Sequence, residues 1–120
     1  MKLRFKDNSI RLRLSADEVD LLESQRFIHC ETSFGAAMEP FRYGIQITNA
    51  VEIEADLKDN TVLVSLPANV FEKWAESPQV GIDYRMGVGN GKFLRILVEK
   101  DFACLHSKNE LDDDMPDDDA

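Results

Sequence analysis

The chain has 120 residues, 43% of them hydrophobic and 31% charged, which is enough for one shared hydrophobic core and too ordinary a composition for a disordered polypeptide. Its formal net charge of −9 argues against general nucleic-acid or anionic-membrane binding, which draws its affinity from Lys and Arg. The charge is unevenly placed: residues 101–120 hold eight acids against Lys108, whereas residues 1–100 carry 13 basic and 15 acidic side chains and are nearly neutral.

Residues 2–14 alternate in character. Leu3, Phe5, Ile10, Leu12 and Leu14 are apolar, Lys2, Arg4, Lys6, Arg11 and Arg13 fall between them, and Asp7-Asn8 interrupts the pattern. Period two broken by residues that tolerate positive φ predicts a β-hairpin with one apolar and one basic face. Ser15-Ala16-Asp17-Glu18 is a capping box, in which the Ser hydroxyl and the Glu carboxylate satisfy free N–H groups at a helix start. The helix it opens runs to about Ser24, with Val19 and Leu22 on one face, and is too short to stand without docking on the hairpin. Residues 26–34 and 41–48 read as two further strands.

The same order returns 52 residues later. Lys6-Asp7-Asn8 recurs as Lys58-Asp59-Asn60, the apolar positions of the hairpin recur as Ile53, Ala55, Leu57, Val62, Val64 and Leu66, and Val19 and Leu22 recur as Phe71 and Trp74 in a helix opened by Pro67. Beyond Phe41 and Phe93 the register slips, and Leu94, Ile96 and Val98 fit an offset of 51, as a bulge would produce. The expected fold is α+β, an internally duplicated β-β-α-β-β unit. About eight mainly antiparallel strands would form a curled sheet or barrel-like core, with two short helices on its apolar face. A single domain over residues 1–106 is expected, with pseudo-repeats 1–50 and 53–102. Residues 107–120, nearly devoid of apolar side chains, are expected as a disordered acidic tail that solubilises the domain or folds back over the basic hairpin.

The copies differ in charge. Lys2 and Arg4 correspond to Glu54 and Asp56, with Glu52 just before them. Pairing of Lys2, Arg4, Arg11 and Arg13 with Glu52, Glu54 and Asp56 across one sheet is therefore expected. The charged face, to which Arg42 and Arg95 also belong by alternation, is the candidate binding surface for an unidentified protein or anionic small molecule, with no cofactor required. Under an alternative reading, Glu52, Glu54 and Asp56 point one way from a strand and hold a divalent cation.

Other motifs resolve into simpler readings. Gly87-Val88-Gly89-Asn90-Gly91-Lys92 is followed by an alternating stretch rather than a helix, so it reads as a hairpin turn and not a phosphate loop. His29, Cys30, Cys104 and His106 have zinc-ligand chemistry, but adjacent residues on a strand face opposite ways. Two cysteines are too few for a disulfide scaffold and are expected as reduced thiols. No nucleophile and base share a triad-like context. No apolar stretch reaches signal-peptide or membrane-span length, so a cytoplasmic setting is expected, with sheet edges open to homodimerisation.

Two resemblances bear on these expectations. Glu52-x-Glu54-x-Asp56-x-Lys58 resembles the E-x-E-x-K strand of the triphosphate tunnel metalloenzymes, whose barrel also looks like a duplicated β/α unit. That likeness implies a metal-dependent phosphoesterase, although the Lys stands two residues further along and the motif lies mid-chain. The opening block Met1 to Leu14, the block Leu94 to Leu105 and Trp74-Ala75-Glu76-Ser77 between them resemble a family of short bacterial proteins classed as a domain of unknown function. This second likeness implies a bacterial, cytosolic protein and brings no activity or site residue.

Overall fold

The computed structural model describes residues 1–101. Its elements are β1 (Lys2–Lys6), β2 (Ser9–Leu14), α1 (Ala16–Gln25), β3 (Phe27–Thr32), β4 (Phe41–Thr48), β5 (Glu54–Lys58), β6 (Thr61–Pro67), α2 (Ala68–Glu76), β7 (Gly81–Gly89) and β8 (Lys92–Lys100). The ββαββ order therefore occurs twice, as its local signals require. The β1–β2 and β5–β6 turns place Asp7 and Asp59 at φ 50° and 53°, in the left-handed region that Asp tolerates. Ser15 and Glu18 form the complete capping box of α1, and Pro67 occupies the N-cap of α2.

The single curled or barrel-like sheet expected from the sequence is not what forms. The strands make two separate four-stranded mixed sheets, with orders β1-β2-β8-β7 (sheet I) and β3-β4-β6-β5 (sheet II), and no barrel closes. Each sheet joins a hairpin from one half of the chain to a hairpin from the other through a parallel central pair, β2 with β8 and β4 with β6. Three hydrogen bonds that involve side chains connect the two sheets and the residues leading into them. The Tyr43 hydroxyl donates to the Met1 carbonyl at 3.2 Å, the Ala55 N–H donates to the Met86 thioether at 3.4 Å, and the Tyr84 hydroxyl donates to Glu52 at 3.2 Å.

The strand orders of the two sheets correspond when the halves of the chain are exchanged, an arrangement compatible with duplication. Ser9 pairs with Arg95 in sheet I as Thr61 pairs with Arg42 in sheet II, so Arg42 and Arg95 are structural equivalents. The slip along this strand is thus one residue forward of 52, to 53, and not back to 51 as the apolar pattern indicated. The repeated Lys-Asp-Asn now has a physical role. The Asn8 carbonyl accepts the Arg95 N–H at 3.0 Å and the Asn60 carbonyl accepts the Arg42 N–H at 2.9 Å, so each turn extends the parallel ladder to the other half. The Asn8 side-chain amide adds a bond to the Phe93 carbonyl at 2.8 Å.

One core serves both sheets. Ile10, Leu12, Leu14, Ile96 and Val98 from sheet I meet Ile45, Val62, Val64 and Leu66 from sheet II, with Leu22 and Trp74 of the helices packed in the same cluster. Among the described residues no helix is long and apolar enough to cross a membrane. The expected acidic tail, 107–120, and the end of the expected domain boundary at 106 lie outside the described residues.

Candidate functional site

Alternation sends Ile10, Leu12 and Leu14 into the core and their neighbours outward. The outer face of sheet I therefore carries Lys2, Arg4 and Lys6 from β1, Arg11 and Arg13 from β2, Arg85 from β7 and Arg95 from β8, against only Asp83 and Glu99. The outer face of sheet II carries Arg42 and Lys58 against Glu31, Glu54 and Asp56. The charge inversion between the copies thus separates onto two faces of opposite sign. The pairing of Lys2, Arg4, Arg11 and Arg13 with Glu52, Glu54 and Asp56 is not made, because β1 and β5 are edge strands of different sheets.

Five of the sheet I cations have local partners. Arg95 holds Asp83 in a two-point fork, Nε to Oδ1 at 3.1 Å and Nη2 to Oδ2 at 2.7 Å. That bond from Arg95 holds the Asp83 carboxyl below the usual aspartate range, and Asp83 in turn raises Arg95 above the usual arginine range. Glu99 lies between Arg11 at 3.5 Å and Arg13 at 3.6 Å, and Lys2 reaches Asp101 at 3.5 Å. Arg85 lies over the Phe93 ring, 4.3 Å from its centroid. Arg4 and Lys6 have no ion-pair partner among the described residues.

Arg4 and Lys6 line an open depression of about 200 Å³ together with Ser9, Arg11, Arg95 and Leu97. The Ser9 hydroxyl donates to the Lys6 carbonyl at 2.7 Å, which ties the turn and leaves the hydroxyl an acceptor. The donors of the depression are consequently its guanidinium and ammonium groups. Such an array can hold an anion with two-point hydrogen bonds, for which arginine is the suited side chain.

Of the residues singled out in the sequence, Lys2, Arg4, Arg11, Arg13 and Arg95 come together on this face. Arg42 does not; it lies on sheet II, 3.0 Å from Glu31 and 3.9 Å from Glu39. Arg85 and Leu97 also belong to the face and were missed, and Lys6, placed on the basic face of the hairpin, was not singled out as a binding residue. Lys6 carries the signal that would have found it, since it continues the i, i+2, i+4 spacing of Lys2 and Arg4. The carboxylates of the alternative reading stand apart in role: Glu52 is taken by Tyr84, while Glu54 and Asp56 are exposed on β5. Burial, then Glu52, raises the Tyr84 phenol above its usual range. Among the described residues no three His, Cys, Asp or Glu side chains are placed to hold a metal ion.

His29 and Cys30 diverge as neighbours on a strand must, His29 stacking on Phe27 with ring centroids 5.3 Å apart. Cys104 and His106 lie outside the described residues. The Gly87 to Lys92 segment is the β7–β8 turn, with a bulge between Gly87 and Gly89 and left-handed φ at Gly89, Asn90 and Gly91.

The fold and this surface define a two-sheet α+β domain with one strongly cationic face. The chain belongs to the protein family described as a family of unknown function (DUF7009), whose model matches residues 1–120. No curated protein and no solved structure matches the chain.

Proposed function

We propose that this protein is a small, non-enzymatic binding module, built by internal duplication, that uses the outer face of sheet I to engage an anionic partner. The observation that carries this reading is the depression between β1, β2 and β8, where Arg4 and Lys6 stand without ion-pair partners among the described residues. Cations left unneutralised beside one another repel, and that repulsion is relieved by an external anion. The chain as a whole is acidic, so attraction is local to this face and falls with ionic strength over a Debye length of about 8–10 Å.

The test is fluorescence anisotropy with a labelled poly-glutamate peptide at increasing salt. Wild-type protein is expected to bind it, more weakly as salt rises, and the triple variant Arg4→Ala, Lys6→Ala, Arg11→Ala is expected to lose at least about tenfold in affinity. Binding that ignores both salt and the triple variant, or no binding at low salt, refutes the proposal.

A further inference from the structure

The matching strand orders and registers of the two sheets supply an internal control for the depression. Its equivalents in sheet II are Asp56 for Arg4, Lys58 for Lys6, Thr61 for Ser9, Leu63 for Arg11, Arg42 for Arg95 and Gly44 for Leu97. The same scaffold therefore folds with a carboxylate in place of one cation and a leucine in place of another. Arg4 and Arg11 are not demanded by strand pairing, by the turn or by the core; Arg11 is met in part by Glu99, and Arg4 has no ion-pair partner among the described residues.

Charge counting narrows the ligand. The depression is lined by four cations, Arg4, Lys6, Arg11 and Arg95, and two carboxylates lie against them, Asp83 on Arg95 and Glu99 shared between Arg11 and the rim residue Arg13. The remainder is at least two positive charges around a depression of about 200 Å³, below the roughly 300–1,000 Å³ of pockets that enclose whole ligands. One compact group with two negative charges, borne on something larger, balances it. Guanidinium forks match a phosphate's oxygens, three of which are free in a monoester.

Resting on the reading of sheet I as an anion-binding face, we infer that the depression is a site for a phosphate monoester in its dianionic form. Carboxylates bring one charge per group and leave half of the excess unbalanced. Among the described residues the groups facing the depression and its rim are Lys2, Arg4 and Lys6 from β1, Arg11 and Arg13 from β2, Asp83 and Arg85 from β7, Arg95 and Glu99 from β8, and Asp101, which follows β8 and reaches Lys2. These side-chain types ordinarily ionise outside about pH 5 to 8, and no histidine is among them. Those are the described residues, so a change of affinity in that window that phosphate shows and sulfate does not reports the second ionisation of the phosphate, near a pKa of about 6.

The experiment is a nuclear magnetic resonance titration of the full chain with phenyl phosphate, benzoate and sulfate at several pH values from about 5 to 8. Phenyl phosphate is expected to move the amides of residues 4–11 and 95–97. Its affinity is expected to exceed that of benzoate by about tenfold and to rise several-fold as it becomes a dianion, while sulfate gives a flat profile. The variant Arg4→Asp, Arg11→Leu, which installs the sheet II residues, is expected to remain folded by circular dichroism and to lose this binding. If it does not fold, Arg4→Ala with Lys6→Ala, both at exposed positions, serves the same purpose. Phenyl phosphate binding no tighter than benzoate, a pH profile like that of sulfate, or full binding by the folded variants overturns the inference. If poly-glutamate still binds in a way that depends on Arg4 and Lys6, only the phosphate assignment has failed; if neither probe binds, the anionic-face reading fails with it.

Discussion

Replacing Trp74 by alanine tests the packing on which the position of the basic face depends. Trp74 is fully buried, its indole N–H donates to the Val80 carbonyl at 3.1 Å, and the Lys100 ammonium lies 5.4 Å from its ring centroid. Val80 immediately precedes β7, which carries Asp83, so the indole fixes the start of a strand of the candidate site. Large-to-small replacement of a buried Trp costs about 3–5 kcal/mol through lost transfer energy and the cavity left behind. That is a large share of the roughly 5–15 kcal/mol by which a domain of this size is stable. Trp74→Phe is expected to be far milder. The Val80 carbonyl also accepts the Lys100 N–H at 3.0 Å, so losing the indole donor leaves no unpaired acceptor, and the cost should stay near 1–2 kcal/mol. Urea unfolding followed by far-ultraviolet circular dichroism measures both. A loss below about 1 kcal/mol for alanine, or equal losses for the two variants, would refute the reasoning.

Gly44→Ala is expected to destabilise by about 1–3 kcal/mol, because an added Cβ would sit 2.7 Å from the Ile28 carbonyl oxygen and 3.0 Å from the His29 Cβ, and the first of these is backbone that cannot rotate away. Thermal unfolding checks this, and an unchanged midpoint would mean that β3 and β4 are spaced more loosely. Asp83→Asn removes a carboxylate whose pKa is lowered on folding by Arg95. A depressed carboxylate adds stability that is present above its unfolded pKa and is lost as pH falls through its folded value, so the variant should show a shallower acid limb. Both partners are about half exposed, at 50% and 55%, which keeps the effect within the roughly 0–1 kcal/mol of a surface ion pair. The urea midpoint followed from neutral pH downward measures it, and a steeper acid limb in the variant would contradict the assignment.

What the sequence disclosed were the features that local chemistry decides. Asp7 and Asp59 adopt left-handed backbone, Ser15 and Glu18 cap a helix, and alternation orients Arg11 against Leu12, all within a few residues of one another. Which hairpin pairs with which is a choice between partners distant in the chain, and two sheets that exchange halves bury the same apolar positions as one continuous sheet. The direction of the register slip had a local cause that went unread. Helix α1 ends on Arg26 with φ 65°, and strand β3 begins at the next residue. Pro78 stands 52 residues later and cannot take a positive φ, so α2 needs the longer connection Ser77 to Val80 before β7 begins.

That exchange of halves also decides what the inverted charges do. Had β1 and β5 been neighbours, Lys2 and Arg4 would have faced Glu54 and Asp56 as cross-strand pairs, and the surface would have been neutral and self-satisfied. Placed on different sheets, the same residues leave one face with seven cations against two carboxylates and the other with two against three. The two central arginines keep equivalent positions and each finds a carboxylate, although from different positions on the neighbouring strand: Glu31 directly opposite Arg42, and Asp83 two residues from the position opposite Arg95. Arg4 and Arg11 have no cationic counterpart in sheet II. The halves therefore differ beside the equivalent arginines, where sheet I adds two cations, one of them paired with Glu99, next to the Arg95–Asp83 ion pair.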